Sequence, residues 1–319
     1  MLSRSGSWRG LLVLNYHRIG SSVGELFDHA LWSATARDFS RQVRWLASRF
    51  QLIGPDQIET VLSGEIRQAV MLSFDDGYRD NYTAAFPILR DAGVPATFFI
   101  STGFIDSPSV PWWDEICWMI RSTRRTELLL PDEFGGVFQI DPVADPDCTV
   151  ATRTVLRRYK SVPGHRAGAF VQAVAHAAGT GRCPASAASE LWMTWDMIRE
   201  MRDSGMFIGG HTHSHPVLAR LAPEEQDREI ELCRSRLDAE LGTEAATDAF
   251  SYPVGGPTAF DEVTRACLQR HGFRWAFSYY GGWQRPGRHD PHDLPRTAIE
   301  QEVDLPQFRS MTVFPQMFA

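Results

Sequence analysis

The sequence predicts an α/β fold, a parallel sheet covered by helices, on three observations. Short apolar runs alternate with segments of helical period, and most of the helical segments carry their own start or stop residues. The chain, 319 residues and 43% hydrophobic, also has enough apolar material for one large core or two modest ones.

Taken in order, "LLVLNYH" reads as a buried strand ending at His17. In "DFSRQVRWLASRF", Phe39, Val43, Leu46 and Phe50 recur at helical spacing and form one apolar face. "AVMLSF" is a second strand, followed by an Asp-Asp-Gly turn. "DNYTAAFPILRDAGV" is helical in composition, broken or kinked by Pro87 and stopped by Gly93, and "PATFFIST" is a third strand. "TWDMIREMRDSG" is a helix with Thr194 as N-cap and Gly205 just past its end, leading into the strand "MFIGGH". The next helix opens on Pro223 with early acids, places Ile230, Cys233, Leu237 and Leu241 on one stripe, and ends at Gly242. The strand "DAFSYP", the helix "DEVTRACLQRHG" and the strand "FRWAFSY" complete the series, which suits either an open doubly wound sheet or a closed barrel. Between residues 106 and 190 the rhythm is lost, and this stretch reads as a partly helical insertion that caps a single domain spanning 1–319.

A net charge of −7 argues against a nucleic-acid binder, which would present cations for phosphate neutralisation. The five cysteines are odd in number, widely spaced and free of any C-x-x-C pair, so neither a disulfide framework nor a thiolate zinc site is indicated. "LLVL" is too short for a secretory core, and no run of about 18 apolar residues appears, so the expectation is a cytoplasmic protein without a membrane span.

In parallel α/β folds the reactive groups gather at the carboxyl ends of strands. Asp75 and Asp76 follow one predicted strand; His211 and His215, four apart in "GGHTHSHPVL", follow another. Two imidazoles and a carboxylate make a three-ligand divalent site, suited to zinc, with cobalt or nickel as alternatives, and leave a position open for water. Such a cation lowers the pKa of water from 15.7 to about 7, which supplies hydroxide if a neighbouring base accepts the proton. One aspartate for the metal and one for the proton accounts for the adjacent pair, although Asp-Asp-Gly is also ordinary turn chemistry.

"SFDDG" together with "HTHSHP" resembles the two leading motifs of the NodB-like polysaccharide deacetylases. The resemblance extends through "VPATFFISTGF" and "FSYPVGG", in the order of that family, and is nearest to its exopolysaccharide-cluster branch. It implies a deformed, incomplete (β/α) barrel and a metal-dependent hydrolase acting on an N-acetylated amino sugar. Carried over by position, Asp75 is the general base and Asp76, His211 and His215 hold the metal, with Thr212 orienting a ligand and His213 left as an exposed loop residue. "FSYPVGG" implies an oxyanion donor at the Val254 backbone N–H, a contact worth about 3–4 kcal/mol in such enzymes.

Two departures stand out. Many relatives have an arginine in the third motif that pairs with the base, where this chain has Ser251; Arg296 in "DLPRTAI" is expected to replace it. The late histidine that serves many relatives as general acid is absent, since no histidine follows His292. His17 is the first candidate for that role, ahead of His289 and His292, with Asp75 itself as an alternative proton donor. Trp112, Trp113, Tyr279, Tyr280 and Trp283 are candidates for a sugar-stacking groove as well as for ordinary core positions. Hydrolysis of other C–N bonds, such as those of cyclic imides, and a catalytically degenerate carbohydrate-binding protein are the rival readings.

Overall fold

Two consecutive apolar runs set the centre of the molecule. In a computed structural model, which describes residues 8–243, 248–287 and 289–318, β1 (Gly10–Tyr16) and β2 (Gln68–Phe74) pair in parallel along their full length, from Gly10 opposite Gln68 to Tyr16 opposite Phe74. Nearly every side chain on both is buried, as expected for strands covered on each face. β3 (Thr97–Ile100), β4 (Phe207–Gly210), β5 (Ala249–Ser251) and β6 (Trp275–Phe277) extend one side, and β7 (Arg296–Ala298) joins the other edge of β1.

The two ends of this sheet nearly meet. Leu294, just before β7, pairs in parallel with Phe277 of β6. Its N–H donates to Ala276 O (2.9 Å), and its carbonyl accepts from Ser278 N–H (3.0 Å). The wall is irregular beside β2: the short strand Gln51–Leu52 pairs with Ala69 and Val70, and β3 takes over at Ser73 and Phe74. The result is a nearly closed, deformed parallel barrel, the fold expected from the resemblance.

The helices form where the sequence indicates, with shifted ends: the first starts ahead of Asp38 and stops before Phe50. Thr35 caps α1 (Ala36–Ala47), its hydroxyl accepting from Asp38 N–H at 3.1 Å. The helical segment before Gly93 is interrupted, as expected, just ahead of Pro87. A wide turn over Asn81–Ala85 ends before α2 (Phe86–Ala92), which leaves Pro87 in the first turn where its missing N–H costs nothing. Gly93 terminates α2 at φ 64°.

The insertion holds α3 (Trp112–Ser122), α4 (Thr149–Tyr159) and α5 (Ala167–Ala178). It also holds an antiparallel hairpin, Glu127–Leu129 with Val137–Gln139, that its Pro- and Asp-rich sequence does not suggest. Ile116, Val155, Phe170 and Val174 pack into the same apolar cluster as Leu14, Leu72 and Phe98 of the barrel strands. After the insertion, α6 (Trp195–Asp203), capped by Thr194, leads into β4. The helix α7 (Pro223–Leu241) buries Ile230, Cys233, Leu237 and Leu241, the stripe read from its sequence. Finally, α8 (Glu262–Arg270) precedes β6 and α9 (Leu305–Val313) follows β7. All five cysteines are unbonded. Among the described residues no helix is long and apolar enough to cross a membrane.

Candidate active site

The turn after β2 explains how neighbouring aspartates serve different surroundings. Asp75 still follows the ladder, its N–H donating to Tyr16 O at 3.1 Å. Asp76 has φ 76°, a left-handed conformation that L-residues adopt at a cost. The chain reverses there, closed by Gly77 N–H donating to Asp75 O (3.0 Å), and the two carboxylates diverge. Thr212 (φ 64°), His215 (φ 57°) and Val254 (φ 64°) are in the same region of conformational space. Four of the five non-glycine residues with positive φ among those described therefore line or support one site, as expected where strain is held for function.

Asp76 faces the histidines. Its Oδ1 lies 3.4 Å from His211 Nε2 and 3.2 Å from His215 Nε2, with all three groups buried. His211 is fixed by its other ring nitrogen, Nδ1, 2.7 Å from Ser251 O. A carbonyl can only accept, so Nδ1 carries the proton and Nε2 offers a lone pair. His215 follows a turn in which the Thr212 hydroxyl accepts from His215 N–H (2.9 Å) while donating to His211 O (2.5 Å). The Trp113 ring packs against the His215 ring at 4.2 Å, and Trp112 Nε1–H donates to His215 O at 3.2 Å. Asp76 Oδ1 makes no hydrogen bond. A buried carboxylate oxygen left unpaired is costly, and three convergent donor atoms within 4.8 Å of one another fit a divalent cation. Burial alone would raise the Asp76 pKa; the two imidazoles more than reverse this and hold it far below the usual range. Burial lowers His215, whereas Asp75 and Asp76 outweigh burial at His211 and raise it.

Asp75 faces a different set. Arg296, 1% exposed, grips it with a planar fork, Nη1 to Oδ1 and Nη2 to Oδ2 both at 2.8 Å. Ser251, at the position where relatives have arginine, bridges the pair: its hydroxyl accepts from Arg296 Nη2 (2.8 Å) and donates to Asp75 Oδ2 (3.3 Å). Asn15 of β1 completes the cluster, Nδ2 donating to Asp75 Oδ2 (3.2 Å) and Oδ1 accepting from Arg296 (2.5 Å) and from the Ser73 hydroxyl (2.8 Å). Burial would raise the Asp75 pKa, but Arg296, with help from His211, lowers it overall.

Both clusters open on one cleft of about 230 Å³ at the carboxyl ends of the strands. His17, Val254 and Tyr279 line it together with Trp112, Trp113 and Lys160 of the insertion. His17 Nε2 is 4.0 Å from Asp75 Oδ2, and its ring meets Tyr279 edge-on at 5.7 Å. Val254 N–H makes no bond within the protein among the described residues. The adjoining Gly255 has no room for a side chain, since a Cβ there would stand 2.6 Å from Tyr279 Cβ.

Other candidates lie elsewhere. His289 and His292 border a depression with Trp275 and Arg274, because the chain after β6 turns back toward the amino ends of the strands, where Pro291 O accepts from Ala276 N–H. Neither reaches Asp75 as a proton donor. Trp283 packs beside Trp8 and Arg9, and Tyr280 is hydrogen-bonded to Asp293, so neither belongs to the groove. His213 is held rather than free, its Nδ1 2.9 Å from Thr102 Oγ1. Two contributors were not foreseen: Asn15, for which a polar residue inside an apolar strand was the available signal, and Glu229 of α7. Glu229 accepts from His213 N–H (3.0 Å) and Ser214 N–H (2.8 Å) and ties down the histidine loop, with no signal near that loop.

The chain matches the family model described as polysaccharide deacetylase over residues 64–128 and 141–276. It is 31% identical over 94 residues to the YxkH protein of Bacillus subtilis (strain 168), covering 28% of this chain and 31% of that protein. It is 29% identical over 114 residues to the poly-beta-1,6-N-acetyl-D-glucosamine N-deacetylase of Escherichia coli (strain K12), covering 34% of this chain and 16% of that protein. The matches thus span less than a third of the length of these curated relatives. Among solved structures, the Streptococcus pyogenes deacetylase PplD in complex with acetate superposes with a TM-score of 0.61 at 16% identity, covering 93% of this chain and 96% of that one. That likeness is one of fold.

Proposed function

The chain belongs to the polysaccharide deacetylase family, and from that membership we propose that it hydrolyses the N-acetyl group of an amino sugar, in an N-acetylglucosamine-type poly- or oligosaccharide or glycoside. The observation that carries this reading is the pair of opposed clusters on one cleft: an arginine-paired carboxylate on one side and an unsatisfied Asp-His-His set on the other. Asp76, His211 and His215 hold a divalent cation, zinc in preference to cobalt or nickel given two imidazoles and one carboxylate. Bound there, the cation supplies a Lewis acid that polarises the acetyl carbonyl and acidifies water.

The remaining steps belong to the chain's own residues. Asp75, kept ionised and aimed by Arg296, takes a proton from the attacking water as its oxygen bonds to the carbonyl carbon. Val254 N–H donates to the carbonyl oxygen as it becomes negative. His17, on the same cleft, gives a proton to the departing nitrogen as the C–N bond breaks, yielding acetate and a free amine. Trp112 and Tyr279 form walls on which a sugar ring stacks, the buried Trp113 backs the His215 ring, and the 106–190 insertion caps the cleft.

Acetate release from N-acetylglucosamine oligomers, measured before and after chelation and on return of zinc, cobalt or nickel, tests this reading. Metal-restored release is expected. Ring opening of cyclic imides without acetate release from any N-acetyl sugar overturns the substrate assignment, and bound zinc with neither activity leaves a binding protein.

A further inference from the structure

A second cleft, of about 280 Å³, lies beside the first and shares Asp28, Ala30, Leu156 and Lys160 with it. Its wall is basic. Arg153 and Arg157 project from α4, and Lys160, which caps that helix, follows at the next turn. Positions 153, 157 and 160 fall on one helical face. Arg121 of α3 also lines the cleft, but it is committed to backbone carbonyls of Phe27 (2.5 Å) and Asp147 (3.1 Å).

Arg153, Arg157 and Lys160 have no side-chain hydrogen bond or ion pair within 4 Å to any described residue. Some arginines of this acidic chain are coupled to carboxylates, Arg199 to Asp196 and Glu240 and Arg236 to Asp106 and Glu240, and others are not; what sets Arg153, Arg157 and Lys160 apart is that all three line one cleft. Like charges one helical turn apart repel, so the cluster is held against its own repulsion. Lys160 is also the only lysine among the 32 basic residues of the chain. Asp28 is the one acid in this wall, and its carboxylate accepts from Ala30 N–H at 3.0 Å.

We propose that the second cleft is an anion subsite: the substrate carries a fixed negative group, a phosphate ester or a carboxylate, next to the sugar ring whose acetamido group enters the first cleft. This rests on the deacetylase reading for the orientation of the substrate. Arg153 and Arg157 supply planar donors and Lys160 a compact charge at the junction of the two clefts. The acidic remainder of the surface keeps unrelated polyanions away, so the cations select one charged substituent rather than a charged polymer track.

The test uses sugars without an acetamido group, which deacetylation cannot consume. Glucose 1-phosphate, methyl glucuronide, methyl glucoside and inorganic phosphate are titrated calorimetrically into the metal-loaded protein, alongside K160Q and the triple variant R153Q/R157Q/K160Q. At least one anionic sugar is expected to bind more tightly than methyl glucoside, with a roughly tenfold loss in the triple variant, the sum of three solvent-accessible charge contacts, and a smaller loss in K160Q. Raised salt is expected to narrow the difference. Glucose 1-phosphate against methyl glucuronide identifies the anion. Unchanged affinity for both in the triple variant overturns the proposal, because binding through the metal would survive those substitutions. Equal affinity for charged and neutral sugars, or inorganic phosphate binding as tightly as either anionic sugar, overturns it too. Failure of the wild-type protein to release acetate from any N-acetyl sugar refutes the deacetylase reading alone and leaves the calorimetric result standing.

Discussion

Asp75 and Asp76 are joined by one peptide bond and face opposite solutions to the same problem. Each is a buried carboxylate that burial alone would push toward the neutral acid, and each is instead held low. Asp75 is satisfied by the protein, with both oxygens engaged by the Arg296 fork and further contacts to Asn15 and Ser251. Asp76 leaves Oδ1 without a hydrogen bond between two imidazoles. One carboxylate is complete as folded, and the other, on the proposed reading, is left for a cation to complete. The difference is made by a single backbone reversal at φ 76°, which separates two roles that a regular strand would have sent to opposite faces of the wall.

The sharpest way to break this comparison is to remove the open carboxylate. Asp76→Ala is expected to abolish metal retention and acetate release together, read by metal analysis of the purified protein and by an acetate assay. Asp75→Asn is expected to keep the metal and lose about 10²–10⁴ in turnover, the usual range for a lost general base. Metal lost from Asp75→Asn, or metal kept by Asp76→Ala, would reverse the assignment of the two carboxylates.

Next in size is the fork. Arg296→Gln leaves Asp75 buried without its cation, which should cost about 3–5 kcal/mol of stability in urea unfolding while the metal ligands remain. The double variant Asp75→Asn with Arg296→Gln removes both charges and is expected to be more stable than Arg296→Gln alone. If the two substitutions simply add, the pair is not the unit described above.

The contrast also explains what was legible in the sequence. The strand–helix alternation was visible because each barrel strand is a short apolar run and several helices announce their ends, as at Thr194, Gly93 and Gly242. The four residues of the Asp-Asp and His-x-x-x-His motifs were visible because they are local in sequence. The Asp75 surroundings are not local: Asn15, Ser251 and Arg296 come from β1, β5 and β7. Only the departure at Ser251 hinted that Arg296 replaces a missing partner, and the one signal for Asn15 was a polar residue inside an apolar strand, which names no partner. The insertion was least legible. Its hairpin buries just Leu128 and Phe138 between exposed neighbours, too short an alternation to stand out. The misplaced His289 and His292 have a similar cause, since the loop after β6 gives no sign in its sequence of which end of the barrel it will reach.

A third buried carboxylate sharpens the comparison from outside the site. Asp114 of α3 accepts from Asp28 N–H (2.9 Å) and Tyr78 O–H (2.7 Å), but no cationic fork grips it, and burial, only partly opposed by these contacts and by Arg18, pushes it up to about 7. An acid with a raised folded pKa binds its proton more tightly folded than unfolded. Stability should therefore decline as pH rises from about 4 to about 7 and level off above, by roughly 4 kcal/mol for a shift of about three units. Carboxylates with lowered pKa, such as Asp75, contribute the opposite slope at lower pH. Asp114→Asn should flatten the decline between pH 4 and 7 in denaturant titrations, and an unchanged slope would mean that Asp114 is ionised as readily as an exposed acid.

The smallest expected effect concerns backbone rather than charge. Val254 is a β-branched residue at φ 64°, a conformation costing about 1–2 kcal/mol for an L-residue, whereas its proposed part in the reaction uses only the N–H. Val254→Gly keeps that donor and removes the steric cost. It also frees the unfolded chain and gives up side-chain packing, which together return about as much. The expected outcome is stability within about 1 kcal/mol of wild type and turnover within a few-fold, measured by urea unfolding and acetate release. A large loss of turnover with stability unchanged would assign the contribution to the Val254 side chain, and the cleft wall rather than the amide would then be what the strained turn presents to substrate.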